Sequence, residues 1–542
     1  MSTPESVSGG NVTVSFAGAD VVSARDRALS ENMGIAARIA AKDAGLWGPD
    51  AAAEATVRLG WLDCMTISRP LVAEIEQLRA DLRSRGVDHV VLAGMGGSSL
   101  APEVITATYG VELTTLDTTD PGQVGAALAD RIDRTVVVVS SKSGGTLETD
   151  SHRRAYEQAF RDAGIDPAER IVVVTDPGSP LHRVASDAGY RVFEADPNVG
   201  GRYSALTAFG LVPSGLAGVP VGELLDAAEG VFATLSGDYG NAAAALGAAL
   251  GGLGVDGHDK VVIADGGSGI AGFGDWAEQL IAESTGKSGR GLLPVVVDSV
   301  SAPGYTALSD THLVTIGATP PIAGTAVDGP LGAQFLAWEF ATAFAGRVLG
   351  IDPFNQPNVQ ESKDNTKAVL EAAGEGDLPT GTPAFVEGPV EVYAEAEDLR
   401  GATDLAGVIQ SLLAAVPDRG YLAVMAYLNR LADADAAKLR DQLAARMDHP
   451  VTFGWGPRFL HSTGQFHKGG PPVAVFLQIT GAVAEDVAIP GQPFSFGRLQ
   501  MAQALGDLQA LRARSRPAVR LHLTDRAAGI SALLTASRGA AP

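Results

Sequence analysis

The stretch Val90-Val-Leu-Ala-Gly-Met-Gly-Gly-Ser-Ser99 decides the fold. Its first four residues are apolar without alternation, which indicates a strand that is buried on both faces, as in a parallel sheet. Glycines and serines follow at once, and a helical pattern comes after them. The same order recurs where the apolar run Thr135–Val139 leads into Ser140-Ser-Lys-Ser-Gly-Gly-Thr146 and a helix. Strands that alternate with helices predict βαβ units and a mostly parallel sheet.

The same pattern continues along the chain in three series. The helical pattern at Ser23–Ala41 precedes the first series, and the Ala/Gly-rich stretch Gly222–Leu253, which predicts one long helix, leads to the second. The run Gly374–Gly381 predicts a linker, and a third α/β series follows it. The first two series share one plan, which raises the hypothesis that they are distant duplicates. Further strands are predicted at Val12–Phe16, Glu112–Asp117, Arg170–Thr175, Tyr190–Phe193, Lys260–Ala264, Val295–Val297, Leu313–Ile316, Gly420–Ala426, Val451–Gly454, Val473–Ile479 and Val519–Leu523.

Composition narrows the class of protein. A chain of 542 residues is too long for one core, and 46% hydrophobic with 19% charged residues is an ordinary globular balance. The net charge of −23 argues against a nucleic-acid surface, because phosphates need cations to neutralise them. The single cysteine, Cys64, excludes an intrachain disulfide and a Cys-based metal cluster. With no signal-peptide pattern at the start and no long apolar run, we expect a cytoplasmic protein that does not span a membrane.

Three loops that follow strands are rich in Gly, Ser and Thr: Gly94–Ser99, Ser140–Thr146 and Gly266–Gly269. At the carboxyl ends of parallel strands, such loops offer backbone N–H groups, hydroxyls and a helix N-terminus to an anion. The hydroxyls of the second loop suit the oxygens of a phosphate monoester, and a purely structural turn is the alternative. A dinucleotide site is a further reading, since Gly94-x-Gly96 and Asp117 imitate its fingerprint, but Ser99 stands where the third glycine belongs.

A second informative stretch is Trp276-Ala-Glu-Gln-Leu-Ile-Ala-Glu-Ser-Thr-Gly-Lys287. It predicts an amphipathic helix on which Gln279 and Glu283, four residues apart, share a face with Trp276 and Leu280. Buried polar groups cost free energy unless they are paired, so this polar pair indicates a pocket. A solvated helix end is the alternative.

These motifs resemble those of the phosphoglucose isomerase family. The matching segments are Gly94–Ser98, Ser141–Thr149, Gly200–Ser204, Ala282–Lys287, Asp352–Lys363 and His461–Gln465. The resemblance implies two doubly wound, flavodoxin-like parallel-sheet (sugar-isomerase) domains at 61–240 and 241–384, after an N-terminal helical segment at 1–60. A C-terminal α/β region at 385–542 is not explained by it. The implied activity is interconversion of glucose 6-phosphate and fructose 6-phosphate through a cis-enediolate, without metal or cofactor, by a homodimer.

The resemblance also implies residue roles. Glu283 matches the base that moves the proton, and Arg202 matches the arginine that stabilises the enediolate charge. Lys363 and His461 match the groups that open the sugar ring. The remaining matches are to residues that bind the phosphate or orient the substrate: Gly97, Ser98, Ser141, Lys142, Ser143, Thr146, Gln279 and Gln356.

Some features depart from the family pattern. Gly144 and Gly145 replace larger residues in the phosphate loop, and Gln360 and Ser362 differ near Lys363. The histidine motif is expected before that lysine, often reaching across a dimer interface, but His461 follows it. His312 and His467 are therefore alternatives. Two other functions stay open: an isomerase that also accepts mannose phosphates, and a sugar-phosphate-binding module without catalysis.

Overall fold

The computed structural model describes residues 4–374 and 376–539. Within these ranges the chain forms seventeen β-strands and twenty α-helices, and none of these helices is long and apolar enough to cross a membrane. The strands are β1 Glu5–Gly9, β2 Val12–Ala17, β3 His89–Gly94, β4 Thr114–Leu116, β5 Thr135–Ser140, β6 Ile171–Thr175, β7 Arg191–Glu194, β8 Lys260–Asp265, β9 Leu293–Val297, β10 Thr311–Ile316, β11 Gly324–Asp328, β12 Phe385–Glu387, β13 Val390–Tyr393, β14 Tyr421–Tyr427, β15 Val451–Trp455, β16 Ala474–Gly481 and β17 Ala518–Leu523.

The helices lie between these strands and cover the sheets. They are α1 Ala19–Glu31, α2 Ile35–Ala40, α3 Ala52–Thr56, α4 Cys64–Ser84, α5 Leu100–Thr108, α6 Pro121–Ala129, α7 Leu147–Asp162, α8 Pro180–Asp187, α9 Ala208–Ala217, α10 Val221–Phe232, α11 Ala242–Val255, α12 Phe273–Thr285, α13 Leu331–Leu349, α14 Val359–Ala373, α15 Ala396–Leu399, α16 Leu405–Ala415, α17 Lys438–Ala444, α18 Gly464–Gly469, α19 Phe496–Arg512 and α20 Arg526–Ser537.

The described strands form three sheets. The first sheet has the order β4-β3-β5-β6-β7, and all its neighbouring strands are parallel. The second has the order β1-β2-β11-β10-β8-β9, and the third has the order β12-β13-β17-β16-β14-β15. In the second and third sheets the first two strands form an antiparallel hairpin and the other four are parallel. The predicted α/β class with parallel sheets is confirmed.

The strand predicted at Val12–Phe16 is β2, and it belongs to the second sheet. It forms a hairpin with β1 and pairs with β11, so residues 5–17 complete that sheet. Alternation of buried Val12, Val14 and Phe16 gives β2 one face for that core. The predicted domain limits at 60, 240 and 384 stay predictions.

The predicted long helix at Gly222–Leu253 is two helices, α10 and α11. The chain turns between them, with Gly240 at a φ of 64° that favours glycine. Asn241 then caps α11, because its side chain accepts a hydrogen bond from the amide of Ala244. In the predicted linker, of which Glu375 lies outside the described residues, the Arg498 side chain donates to the carbonyls of Gly374 and Gly376.

One hydrophobic cluster joins the second and third sheets. It contains Val295 from β9, Ala282 from α12, Met425 from β14 and Phe466 from α18. A side-chain carbon at Gly286, just after α12, would lie 2.6 Å from the Cα atom of Phe466, so α18 packs directly on the end of α12. Because the two sheets share apolar side chains, they pack against each other through this cluster in addition to their own cores.

Replacing Phe466 by Ala tests this shared core. Phe466 is 2% exposed, and its loss should lower the free energy of unfolding by about 3–5 kcal/mol, the usual cost of a phenylalanine-sized cavity. The measurement is urea unfolding followed by circular dichroism. Phe385→Ala on the edge strand β12, where the side chain is half-buried, is the control and should cost less. Equal effects of the two changes would mean that the shared cluster does not hold the sheets together.

Candidate active site

Two glycines after β3 bring three parts of the chain together. A side-chain carbon at Gly97 would lie 2.0 Å from the carbonyl oxygen of Gly201, so any larger residue would push the two turns apart. Gly96 has a φ of 55°, and a side-chain carbon there would lie 2.7 Å from both the Gln279 amide nitrogen and the His461 carbonyl oxygen. The predicted Gly-rich loop is therefore a meeting point for the first sheet, α12 and the C-terminal region.

Glu283 is buried at the end of α12, with 4% of its surface exposed. An Arg202 guanidinium nitrogen lies 3.5 Å from its carboxylate, and the Gln279 amide donates to the same oxygen at 3.4 Å. Burial raises the pKa of Glu283, while the positive charges of Arg202 and His461 oppose that rise. A carboxylate with a raised pKa is a better proton acceptor than an exposed one.

Arg202 is held in place by four hydrogen bonds. It donates to the Ser284 hydroxyl at 2.8 Å, to the Pro353 carbonyl at 2.7 Å and to the Asn355 carbonyl at 3.1 Å. Its third nitrogen, the one beside Glu283, donates to the Gln356 side chain at 3.2 Å. The structure thus brings Arg202, Gln279, Glu283 and Gln356 together, with the guanidinium charge fixed next to the carboxylate.

Lys287 supports the same loop from the other side. Its ammonium donates to the carbonyl oxygens of Asp352 and Asn355, both at 2.6 Å. Burial lowers the pKa of Lys287 well below its usual value, and the nearby charge of Arg202 lowers it further. Both cations satisfy carbonyls of the loop that carries Gln356, which explains how this loop is positioned.

His461 lies on the short turn after β15, where its ring nitrogen Nε2 is 3.0 Å from the Glu148 carboxylate. Glu148 also accepts a hydrogen bond of 2.7 Å from Gln503, whose amide oxygen in turn accepts from Thr119 at 2.7 Å. Burial alone would raise the pKa of Glu148, but the charge and hydrogen bond of His461 outweigh it and lower the pKa to about 2. A permanently ionised carboxylate therefore orients the imidazole.

The two alternative histidines lie inside the protein core. His312 on β10 bonds the Thr325 hydroxyl at 2.8 Å, and burial lowers its pKa to about 3. His467 on α18 bonds the Tyr421 hydroxyl at 2.9 Å, and burial, with Lys468 nearby, also lowers its pKa to about 3. Both are neutral side chains that bond buried hydroxyls. His461 differs, because its backbone carbonyl accepts a hydrogen bond from the same Gln279 amide that donates to the Glu283 carboxylate.

The Gln279 amide connects the two halves of the site. It donates to the Glu283 carboxylate and, at 2.8 Å, to the backbone carbonyl of His461. The histidine turn is therefore fixed relative to α12 by a side chain that the sequence assigned to substrate orientation.

The loop between β5 and α7 presents polar groups at the N-terminus of a long helix. The Ser141 hydroxyl donates to Thr146 at 3.1 Å, and Ser143 and Gly145 are exposed. Among the described residues, the amides of Ser143, Gly144 and Thr146 have no protein acceptor. Free amides at a helix N-terminus suit an anion with several oxygens.

Lys142 is the predicted phosphate-loop residue whose side chain points elsewhere. Its ammonium donates to Asp176 at 2.7 Å and to the carbonyl of Pro197 at 3.1 Å. An ammonium already paired with a carboxylate contributes little charge to a phosphate, so only the backbone of Lys142 remains for that role.

A cavity of about 690 Å³ lies beside these groups. Its lining includes Ser143 from the phosphate loop, the Glu148–His461 pair and Lys363 from α14. This volume is within the range of small-ligand sites. The other predicted residues lie outside the lining: Gly97, Ser98, Ser141, Lys142, Thr146, Arg202, Gln279, Glu283 and Gln356.

Arg458 anchors the histidine turn to the rest of the protein. Its guanidinium donates to Asp117 at 2.8 Å, contacts Glu103 on α5, and lies 3.5 Å from Asp275 on α12. Arg430 also donates to Glu103, at 2.6 Å. Asp117 stands where a dinucleotide site would have its acidic residue, but its carboxylate is paired with Arg458 of the C-terminal region.

Sequence reasoning overlooked Glu148, Gln503 and Arg458. Glu148 stands inside the motif Ser141–Thr149, so its position was a usable signal. Gln503 lies 355 residues after Glu148, and Arg458 lies 341 residues after its partner Asp117. Nothing in their local sequence distinguishes these two from ordinary polar residues.

Comparison with known proteins gives a family. The family model described as Phosphoglucose isomerase matches residues 75–231. The chain is 34% identical over 236 residues to a glucose-6-phosphate isomerase from Cyanothece sp., which covers 41% of this chain and 44% of that protein. It is 32% identical over 319 residues to a probable glucose-6-phosphate isomerase from Natronomonas pharaonis, covering 54% of this chain and 72% of that protein. Against the Cyanothece protein and others like it, the chain spans less than half of the relative's length.

Solved structures share the fold. A glucose-6-phosphate isomerase from Chlamydia trachomatis superposes with a TM-score of 0.54 and 20% identity, covering 68% of this chain and 90% of that one. A hypothetical protein from Thermus thermophilus superposes with a TM-score of 0.56 and 21% identity, covering 68% of this chain and all of that one. With the sequence matches and the clustered motif residues, the conclusion is that this chain belongs to the phosphoglucose isomerase family.

Proposed function

We propose that the chain is an aldose–ketose isomerase that interconverts glucose 6-phosphate and fructose 6-phosphate in glycolysis and gluconeogenesis. The observation that carries the proposal is the buried Glu283 carboxylate with the Arg202 guanidinium 3.5 Å away. Membership of the family supports the same reaction. A metal-independent proton transfer needs one base and one fixed positive charge, and this pair supplies both.

In the proposed mechanism Glu283 removes a proton from C2 of the open-chain aldose and returns it to C1. Burial raises its pKa, which makes the carboxylate a stronger proton acceptor than an exposed one. The cis-enediolate that forms carries negative charge on oxygen. Arg202 is held by Ser284 and by loop carbonyls before the reaction starts, so its charge stabilises the enediolate without reorganisation.

Ring opening is assigned to His461 and Lys363, which line the same cavity. One of them donates a proton to the ring oxygen and the other accepts one from the anomeric hydroxyl. Glu148 is a positioning residue for this step, because its carboxylate holds the His461 ring at 3.0 Å. The hydroxyls and free amides of Ser141–Thr146 bind the phosphate.

The substrate is a small sugar phosphate, and we propose a cytoplasmic homodimer, as the family resemblance implies. An enzyme that also accepts mannose 6-phosphate is the second candidate, since the shape of the pocket at C2 decides that choice. A binding module without catalysis would not need Glu283, Arg202 and Lys363 together.

The first test of the function is Glu283→Gln. Fructose 6-phosphate is supplied with EDTA present, and the glucose 6-phosphate formed is coupled to a dehydrogenase. The change keeps size and hydrogen bonding but removes the proton acceptor, so kcat should fall by roughly 10²–10⁴-fold with little change in KM. Glu229→Gln, an exposed carboxylate on α10, is the control and should keep wild-type kcat. An unchanged kcat in Glu283→Gln would remove this residue from the mechanism.

Glu148→Gln tests the orientation of His461. The amide keeps the contact but loses the charge, so turnover of cyclic glucose 6-phosphate should fall between roughly 10- and 10²-fold, a part of the usual general acid–base contribution. Exchange of the C2 proton in an open-chain analogue should survive, because Glu283 performs it. Gln503→Leu serves as a comparison, since it removes a partner of Glu148 and leaves the carboxylate. Equal losses on cyclic and open-chain substrates would assign Glu148 a purely structural role.

Phosphate binding is tested with the double change Ser143→Ala and Thr146→Val. Each lost hydroxyl donor should cost on the order of 1–3 kcal/mol of binding, so KM for sugar phosphates and Ki for phosphorylated inhibitors should both rise. Inhibition by an uncharged polyol should not change. Ser84→Ala at the exposed end of α4 is the matched control. A lowered melting temperature with unaltered Ki would show that the loop is only structural.

A further inference from the structure

The second and third sheets have the same topology. Each sheet has a hairpin at one edge, and four parallel strands follow it across the sheet. If these four are numbered by their order in the chain, they stand in the order fourth, third, first, second. In each, the second strand of the hairpin pairs antiparallel with the fourth parallel strand. The first sheet shares the order of parallel strands but has a fifth parallel strand, β7, where the others have the hairpin. Six strands agree in order and direction, so the third sheet is a topological copy of the second.

The two copies meet at equivalent edges. β9 and β15, each the second parallel strand of its sheet, lie at the ends of their sheets and contact each other. The shared hydrophobic cluster beside this contact contains side chains of β9 and α12 from one copy and of β14 and α18 from the other. An interface that uses the same element on both sides is the arrangement found in a two-fold symmetric homodimer. Here it occurs within one chain.

The histidine turn occupies an informative place in the copy. His461 lies in the connection between the second and third parallel strands of the third sheet, at 456–473. The corresponding connection of the second sheet, at 298–310, is shorter and contains no histidine. The histidine that the family pattern places before Lys363 is therefore matched here by a residue of the second copy, in a connection where the first copy has no histidine.

Contacts within the chain lock this turn beside Glu283. Gln279 on α12 holds the carbonyl of His461 at 2.8 Å, and Glu148 on α7 holds its ring at 3.0 Å. Arg458, three residues earlier, donates to Asp117 of the first sheet at 2.8 Å. Three elements outside the C-terminal region thus fix the turn, and all belong to the same chain as Glu283.

We infer that the C-terminal region, residues 385–539, is a covalently attached partner of the second sheet that supplies His461 in cis, so that one chain holds a complete active site. The inference rests on the proposed isomerase function. It assigns a role to the part of the chain that motif resemblance leaves unexplained. It also means that association of two chains, if it occurs, adds no residue to the site.

Complementation between inactive variants tests this inference. Glu283→Gln and His461→Asn chains carrying different affinity tags are co-expressed, and assemblies with both tags are isolated by two successive purifications. If each site is built from one chain, every site in a mixed assembly carries one lesion, and its activity should not exceed the mean of the two variants. If His461 came from a neighbouring chain, one site of each mixed pair would be intact, and recovered activity would overturn the inference. Wild type co-expressed with Glu283→Gln shows what one intact site yields.

If the two variants form no mixed assemblies, a second measurement decides. Specific activity of the wild type is followed on dilution, with sedimentation velocity at the same concentrations. A monomer with undiminished activity agrees with the inference. Activity that disappears together with an oligomer would overturn it. A wild-type protein that never converts fructose 6-phosphate would instead overturn the proposed function, so the two failures are distinguishable.

Discussion

Burial of apolar side chains between the second and third sheets is the constraint on which the candidate site depends. The cluster that contains Val295 and Phe466 packs β9 and α12 against β14 and α18, and β9 contacts β15 beside it. Glu283 ends α12, and the His461 turn leads into α18, so the same packing sets the distance between them. Hydrophobic packing is not directional, and the glycines at 96, 97 and 286 supply the precision by allowing backbones to approach.

The surroundings of each buried carboxylate in the site then set its pKa. Glu283 and Glu148 are both buried carboxylates, yet burial raises the pKa of the first, while the histidine partner lowers that of the second to about 2. Arg202 lies beside Glu283 but distributes its hydrogen bonds over Ser284 and two loop carbonyls. In the proposed mechanism, two carboxylates of one type thus serve different tasks, one as a proton acceptor and one as a fixed charge.

The C-terminal region gives a physical account of an irregular motif order. In the proposed site, His461 comes from a later part of the chain than the family resemblance implies. The repeated strand order of the second and third sheets accounts for that placement. Arg458 and Arg430 strengthen it, because both pair with carboxylates of the first third of the chain, Glu103 and Asp117. Arg458 and Asp117 are buried, and removing a partner from a buried pair is costly, so this ion pair stabilises the turn in its position.

By itself, the sequence determined the α/β class, the parallel sheets, thirteen of the strands and the family, since these depend on local periodicity and short motifs. It did not give β1, β11, β12 or β13, which are short or lie at sheet edges, nor the break between α10 and α11. Tertiary structure alone decided that the N-terminal hairpin completes the second sheet, and that Glu148 and Gln503 meet at His461. The tertiary structure also pairs the Lys142 ammonium with the Asp176 carboxylate. These outcomes depend on contacts between residues far apart in the chain, and a local pattern carries no information about which distant surface will cover it.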